Sequence, residues 1–230
     1  MIDWLCIEGE SCHPQKNMDV DHAALLALRP DSRPILRFYH WQGLAATYGC
    51  LIHPEKYFQM DQLDKRGVLL GRRPTGGGVL FHHVDLAFSL LIPSGHPLYG
   101  KSPLDSYCMI HQVLLQGLQA IDRLQGSKLL SESHALPHER FCMAHPTIYD
   151  LLLNGRKVAG AAQRRMRQGL LHQGSLCLAI PDEELLKAVL MPSAGLLEAM
   201  QQTSCPLHLS REETILFKEQ FFQALANFRA

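Results

Sequence analysis

The sequence lacks a net charge, a long apolar run and a paired-cysteine motif. Lysine plus arginine and aspartate plus glutamate both total 22, so no overall field draws the chain to nucleic acid or to an anionic membrane. The longest apolar stretch, near Leu86 to Pro93, is too short to cross a bilayer, and the segment Met1 to Cys12 carries acids instead of the basic start of a signal peptide. We therefore expect a cytoplasmic protein with neither a nucleic-acid nor a membrane partner.

No spacing of cysteine or histidine predicts a metal site. The seven cysteines are scattered without a Cys-x-x-Cys pair, which argues against a disulfide framework and a zinc ribbon. We interpret them as thiols, mostly buried as small hydrophobic groups. The pair His82–His83 and the loose set His134, His138 and His145 lack zinc spacing.

The pattern of apolar residues predicts an α+β fold. At 230 residues and 47% hydrophobic composition, a single domain over residues 1–230 is expected. Helical spacing covers Asn17 to Leu28, Pro54 to Lys65, Ser106 to Leu124, Pro181 to Leu190 and Arg211 to Phe228, the last with Ser210 and Glu213 as a capping box. Strand character covers Ile35 to Trp41, Leu44 to Leu51, Val68 to Arg72, Val79 to His82, Asp85 to Ile92, Tyr149 to Leu153, Lys157 to Ala161 and Gly169 to Ile180. Strands 35–41 and 44–51 look like a pair joined at Gln42–Gly43, and strands and helices that do not strictly alternate favour a mixed sheet flanked by helices.

The run Arg72 to Gly78 is the first candidate for a binding site. Its three consecutive glycines remove every Cβ from a turn and let backbone N–H groups approach an anion or a carbonyl oxygen. Arg72 and Arg73 stand beside them, and guanidinium groups bind carboxylates and phosphates in a planar fork. The alternative is a hairpin loop that is glycine-rich for conformational reasons, with solvated arginines.

Longer motifs around this turn resemble one enzyme family. The run RRPTGGGVLFHHVDLAFSL resembles the glycine signature of lipoate-protein ligases and octanoyltransferases. The run YDLLLNGRKVAGAAQRR resembles their second signature, with Lys157 at the position of the family's lysine, and LLHQGSLCL resembles the strand that follows. With NMDVDHAALL and LRFYHW, the similarity spans roughly Asn17 to Ile180.

This resemblance implies a biotin/lipoate ligase-like catalytic domain, related to class II synthetases, with a mixed, largely antiparallel sheet. Lipoate ligases often carry a C-terminal accessory domain, but this sequence ends soon after one helix, so we expect none. In such proteins the lysine lies in the acyl pocket near the reacting carbonyl, and the glycine turn lines that pocket. The substrate-binding residues implied for this chain are Arg72, Arg73, Thr75, Gly76, Gly77, Gly78, His82, Gly160 and Ala162, with Lys157 as a catalytic residue. Read without the family, Lys157 would be an ordinary surface lysine, although the small residues beside it leave room for a ligand.

Two chemistries use this fold, and Cys142 separates them. The segment FCMAHPTIYD resembles the Cys-Phe-x-x-Pro-Ser-x-Tyr-Glu/Asp-Leu segment of the cysteine-dependent octanoyltransferases, in which the cysteine is acylated and the lysine lowers its pKa. A nearby ammonium group favours a thiolate over a thiol of pKa about 8.5. The implied donor is acyl carrier protein, the implied acceptor is a lipoyl domain of a glycine cleavage H protein or a 2-oxoacid dehydrogenase E2, and no cofactor is needed. The alternatives are a buried Cys142 in an ATP- and Mg-dependent lipoate-protein ligase, or a non-catalytic acyl- or carrier-binding homologue.

Three further features of the sequence bear on function. The residues at His83 and His145 have no assigned role, and His83 replaces the acid common in both groups. The segment Gly95 to Ser102 matches the formal P-loop pattern, but no apolar strand ending in aspartate stands out as its magnesium-binding partner. The cluster Arg164, Arg165 and Arg167 is interpreted as a docking surface for an acidic carrier.

Overall fold

A large, mostly antiparallel sheet organises the chain. The computed structural model describes residues 2–82, 84–131, 147–192, 197–198, 200 and 204–228. The strands are β1 (Leu5–Cys12), β2 (Ile35–Trp41), β3 (Ala45–Tyr48), β4 (Leu69–Arg72), β5 (Val79–His82), β6 (Val84–Pro93), β7 (Lys128–Leu129), β8 (Leu151–Leu153), β9 (Arg156–Met166) and β10 (Gly169–Ala179). Within the described residues, the large sheet has the order β1-β2-β6-β10-β9-β8-β7, and only its β1–β2 pair is parallel.

Helices cover both faces of this sheet. They are α1 (Pro14–Ala27), α2 (Met60–Lys65), α3 (Pro103–Gln119), α4 (Glu183–Val189) and α5 (Arg211–Asn227). The predicted capping box of α5 is present, because the Ser210 side chain accepts from the Glu213 N–H and the Glu213 side chain accepts from the Ser210 N–H. No helix in the described ranges is long and apolar enough to cross a membrane.

Side chains alternate along β2, β6 and β10, so each face of the sheet packs against a different set of helices. Phe38, Phe88 and Leu170 point to one face and pack with Phe217 and Phe221 of α5 in the main core. On the other face, Leu91 and Leu171 pack against α1, and Tyr39 and Ala87 pack against Met18 of the same helix. The site described below lies on this second face.

A small sheet of order β4-β3-β5 stands beside the α1 face. Its apolar residues, with α2 and α4, form a separate cluster that includes Phe58, Val79 and Leu186. A Cβ on Gly71 would lie 2.9 Å from the Pro14 Cβ at the start of α1, so glycine lets β4 approach this helix. The small sheet thereby holds the β4–β5 connection, which is the glycine-rich turn, over the large sheet.

The mixed, largely antiparallel sheet flanked by helices is confirmed, with three corrections. The pairing of strands 35–41 and 44–51 is wrong, because β2 pairs with β1 and β6 while β3 pairs with β4 and β5. The helix predicted over 54–65 is a 3₁₀ turn at Pro54–Lys56 followed by α2, since Phe58 is buried and bridges to Leu190. Strand β1 was not predicted, because its run LCIEGESC mixes acids, glycine and serine and lies exposed at the sheet edge.

The cysteines in the described part of the chain are free thiols, as expected, but they are not mostly buried. Cys177 is buried, Cys6 is exposed, and Cys12, Cys50, Cys108 and Cys205 are partly exposed. Strand ends and loops carry most of them, which explains the exposure.

Candidate active site

The glycine-rich turn, residues 73–78, is supported from inside by Arg73. Its guanidinium donates to the carbonyls of Gly76 at 3.2 Å and Gly78 at 2.7 Å, and to the Thr47 hydroxyl at 2.7 Å. Arg73 is 6% exposed. These three bonds hold the turn in shape, a role that was not predicted from the sequence.

Backbone packing explains why this turn contains glycine. Gly77 has φ +86°, a left-handed conformation that side chains with a Cβ rarely adopt. A Cβ on Gly49 would clash with the backbone of Gly76 and Gly77, so the turn lies directly against the end of β3. The N–H of Cys50 donates to the Thr75 carbonyl at 3.0 Å, which closes this contact.

A buried polar chain ties the turn to the large sheet. The Thr75 hydroxyl donates to Gln173 Oε1 at 2.8 Å, and Gln173 Nε2 donates to Asp21 at 2.8 Å. Asp21 accepts from Arg37 at 2.9 Å and from Ser89 at 2.9 Å. Thr75 is thus a support behind the turn, 0% exposed.

The remaining arginines occupy different places. Arg72 is exposed on the outer side of the turn, and its guanidinium donates to the Cys50 carbonyl at 2.6 Å. Arg164 donates to the Pro74 carbonyl at 2.9 Å, whereas Arg165 donates to the Tyr99 carbonyl and lies 4.9 Å from the centre of the Tyr99 ring. Because neighbouring strand residues point to opposite faces, Arg164 and Arg165 do not present one docking surface together with exposed Arg167.

Lys157 is buried on β9 and forms an ion pair with Asp150. Its Nζ lies 2.7 Å from Asp150 Oδ2, and the two side chains are 4% and 1% exposed. Asp150 also accepts from the Tyr107 hydroxyl at 2.6 Å, from the Thr147 N–H at 2.7 Å and from the Thr147 hydroxyl at 3.0 Å. Burial opposes ionisation of Asp150, but Lys157, His111 and these bonds outweigh it and lower the pKa of Asp150.

One face of the large sheet forms the floor of a pocket next to Lys157, which we call the inner pocket. Cross-strand register places Gly160, Ser175, Ala87 and Tyr39 in one row across β9, β10, β6 and β2. At the usual strand spacing this row spans about 14 Å, from the β9 strand of Lys157 to Tyr39. The other lining residues are Met18, Trp41, Thr47, Arg73, Leu80, His82, Lys157, Ala161, Ala162, Gln173 and Gly174.

A directed hydrogen-bond chain forms one wall of the inner pocket. His82 Nδ1 lies 2.7 Å from Asp85 Oδ2, and His82 Nε2 lies 2.8 Å from the Thr47 hydroxyl. Because a carboxylate only accepts, Nδ1 carries a proton and donates to Asp85, while Nε2 shares a hydrogen bond with the Thr47 hydroxyl, whose oxygen also accepts from Arg73. The His82 ring stacks on Trp41 with centroids 3.9 Å apart, and the Trp41 Nε1–H donates to Asp85 at 3.0 Å. His82 is thus fixed at both nitrogens.

A second cavity, the outer pocket, joins the glycine turn to Lys157. Its lining is Gly76, Gly77, Tyr107, Thr147, Lys157, Ala161, Ala162 and Gln163. Lys157, Ala161 and Ala162 line both pockets, so Lys157 lies where the two meet. A Cβ on Gly160 would lie 2.6 Å from Lys157 Nζ, which explains why glycine follows the lysine at this position.

The structure brings most of the residues named from the sequence into one place. The two pockets contain Lys157, Arg73, Gly76, Gly77, His82, Gly160 and Ala162, while the Gly78 carbonyl and Thr75 support the turn and Arg72 lies outside it. Cys142, His83, His134, His138 and His145 lie outside the described residues. Among the described residues no group of three His, Cys, Asp or Glu side chains could hold a metal ion.

Sequence reasoning missed four polar residues of this site: Asp150, Tyr107, Asp85 and Trp41. The signal for Asp150 was an acid directly before an apolar strand in YDLLL. Asp85 follows its partner His82 by three residues in the run HHVD, whereas the partners of Tyr107 and Trp41 come from distant segments.

The fold and this arrangement define the class to which the protein belongs. Residues 48–180 match the Biotin/lipoate A/B protein ligase family, and this match covers more than half of the chain. The chain is a member of that family.

Sequence relatives point to one branch of the family. The chain is 31% identical to octanoyltransferase LipM of Bacillus subtilis over 86% of this chain and 74% of the relative. It is also 31% identical to octanoyltransferase LipM of Halalkalibacterium halodurans, over 88% of this chain and 75% of the relative.

Solved structures share the fold. A bipartite lipoate protein ligase of Thermoplasma acidophilum superposes with a TM-score of 0.73 at 20% identity, covering 100% of this chain and 86% of the other. Lipoate-protein ligase A bound with ATP gives 0.70 at 22% identity, covering 98% and 86%. At these identities the likeness establishes the biotin/lipoate ligase fold.

Proposed function

We propose that this protein is an octanoyltransferase that moves an octanoyl group from acyl carrier protein, through a thioester on Cys142, to the lysine of a lipoyl domain. The observation that carries the proposal is the place of Lys157, a buried cation between a largely apolar pocket and a glycine turn. The similarity to octanoyltransferases over most of the chain supports the choice of acyl group.

The inner pocket suits a medium acyl chain. Met18, Trp41, Leu80 and Ala87 offer apolar surface along its length, and each buried methylene contributes about 0.8 kcal/mol. The acyl carbonyl would then lie at the Lys157 end, next to Gly76 and Gly77. The backbone of that turn and the ammonium group are the donors suited to stabilise a negative carbonyl oxygen.

The reaction has two transfers. The Cys142 thiolate attacks the carrier thioester, a new C–S bond forms, the old one breaks, and the carrier thiolate leaves and takes up a proton. The lysine amine of the lipoyl domain then attacks the enzyme thioester, a C–N bond forms, the C–S bond breaks, and the amine proton passes to the departing sulfur. Neither transfer needs ATP or a metal ion.

Lys157 would favour the thiolate form of Cys142 in the first transfer. Thr147, the first described residue after the segment that contains Cys142, lines the outer pocket together with Lys157. A cation in such a buried place interacts more strongly with a thiolate than it would in water.

The test measures two activities in the wild type and in Cys142→Ala. Octanoyl transfer from octanoyl carrier protein to a lipoyl domain should be lost in the variant, and neither protein should modify the domain with free octanoate and ATP. ATP-dependent modification by Cys142→Ala at the wild-type rate would defeat the proposal and establish a ligase.

A further inference from the structure

The corner at residues 147–150, which leads into β8, has an unusual backbone and several supports. Tyr149 has φ +69°, a conformation that is unfavourable for residues other than glycine. Its carbonyl lies 2.7 Å from His111 Nδ1, which must donate because a carbonyl only accepts, and its N–H donates to the Leu130 carbonyl at 2.8 Å. Such a conformation persists where surrounding contacts hold it, and it is concentrated at functional sites.

This corner places Asp150 beside the Lys157 ammonium group. Tyr107 donates to Asp150 Oδ1 at 2.6 Å and its oxygen accepts from the Ala161 N–H at 3.2 Å, so one phenol links Asp150 to β9. The Tyr107 ring stacks on His111 with centroids 4.0 Å apart. The two side chains of α3 therefore hold the carboxylate and the backbone of the same corner.

We propose that Asp150, oriented by Tyr107 and His111, is a positioning residue that keeps Lys157 in place as a cation for the reacting sulfur. This inference rests on the proposed function. Lys157 is 3% exposed, and burial without a counterion favours a neutral amine. In this role the Asp150 carboxylate keeps the Lys157 amine protonated, and does not only neutralise its charge.

Within the described part of the chain, several titratable groups lie around the pair. They include Tyr107 and His111 of α3, His172 of β10 beyond His111, and Cys205, whose N–H donates to the Lys157 carbonyl. Burial lowers the pKa of His111 to about 4 and lowers the pKa of His172 well below its usual value. Both imidazoles are neutral near pH 7.

Asp150→Asn distinguishes positioning of Lys157 from simple neutralisation of its charge, because the two roles predict opposite shifts in the pKa of the Cys142 thiol. If Asp150 only cancelled the charge of Lys157, its removal would lower the pKa of the Cys142 thiol. If it keeps the lysine charged and in place, Asp150→Asn raises that pKa, as Lys157→Met does. The measurement is the rate of iodoacetamide labelling of Cys142 against pH, with the site identified by peptide mass spectrometry because Cys6 is also exposed.

We expect Asp150→Asn and Lys157→Met to shift the labelling profile in the same direction, and the double variant to equal Lys157→Met. Tyr107→Phe, which removes the phenol but keeps the ring, should give a smaller shift of the same sign. Asp122→Asn, an exposed acid beyond the end of α3, is the matched control and should give none. Thermal melting of each variant verifies that it is folded.

A lower pKa in Asp150→Asn, an effect that persists in the Lys157→Met background, or no response to Lys157→Met would each overturn the inference. The labelling uses no acyl donor, so it is read independently of the activity. The proposed function fails by a different result, octanoyl transfer retained in Cys142→Ala.

Discussion

Arg37 and Lys157 are both buried cations paired with buried aspartates, yet their surroundings differ. Arg37 lies 2.9 Å from Asp21, which also accepts from Ser89 and Gln173 at the interface of α1 with the large sheet. Lys157 lies 2.7 Å from Asp150 but lines both pockets. The fork of arginine suits fixed, bidentate pairing, whereas the lysine point charge can change partner. We therefore expect the first pair to hold the fold and the second to serve the reaction.

The largest effect on stability should come from the first pair. Arg37→Met leaves Asp21 buried without its cation and removes the bond to Asn17. Breaking a buried pair in this way costs about 3–5 kcal/mol. Urea unfolding should show this loss, and a variant as stable as the wild type would contradict the structural role of the pair.

Lys157→Met should separate activity from stability. The Asp150 carboxylate keeps its bonds from Tyr107 and Thr147, and water can enter the place of the lysine side chain because Lys157 lines both pockets, so we expect a loss of only about 1–3 kcal/mol. Octanoyl transfer should fall by about 100-fold or more, as when one electrostatic stabiliser is removed. Equal destabilisation of Arg37→Met and Lys157→Met, with transfer retained in the latter, would remove the distinction between the two pairs.

A substitution in the glycine turn tests whether this turn is part of the acyl site. Gly77→Val forces a β-branched residue to φ +86° and should abolish transfer while leaving the fold largely intact. Gly43→Val is the matched control, because exposed Gly43 also has a positive φ of +62°, its Cβ would meet nothing within 4 Å, and it lies outside both pockets. The ratio of the two turnover numbers in a transfer assay, with melting curves for both variants, decides the outcome. Normal turnover by folded Gly77→Val would remove the turn from the site.

Local patterns predicted much of the fold. The bounds of β2 at Ile35–Trp41 and the capping box of α5 followed from side-chain alternation and from the Ser210 to Glu213 spacing. The pairing of β2 with β1 and β6 did not follow, because strand partners distant in the chain leave no local signal. A Gln–Gly turn between two strand-like runs therefore suggested a hairpin that does not exist.

The sequence likewise predicted some residues of the site but not the contacts between them. Motif resemblance selected Lys157 and the glycine turn, and the structure places both around one pair of pockets. It could not reveal that Arg73 donates to the carbonyls of its own turn, or that Asp150 reaches Lys157 through a strained corner at Tyr149. Those contacts depend on backbone direction and on α3, which lies far from β8 in the sequence.

The central claim, a thioester on Cys142, is tested most directly by the intact mass of the protein after mixing with octanoyl carrier protein in the absence of ATP. We expect a mass increase of one octanoyl group, located on the Cys142 peptide, removed by hydroxylamine and discharged by a lipoyl domain. An unchanged mass, together with octanoylation of the lipoyl domain that requires ATP, would contradict it.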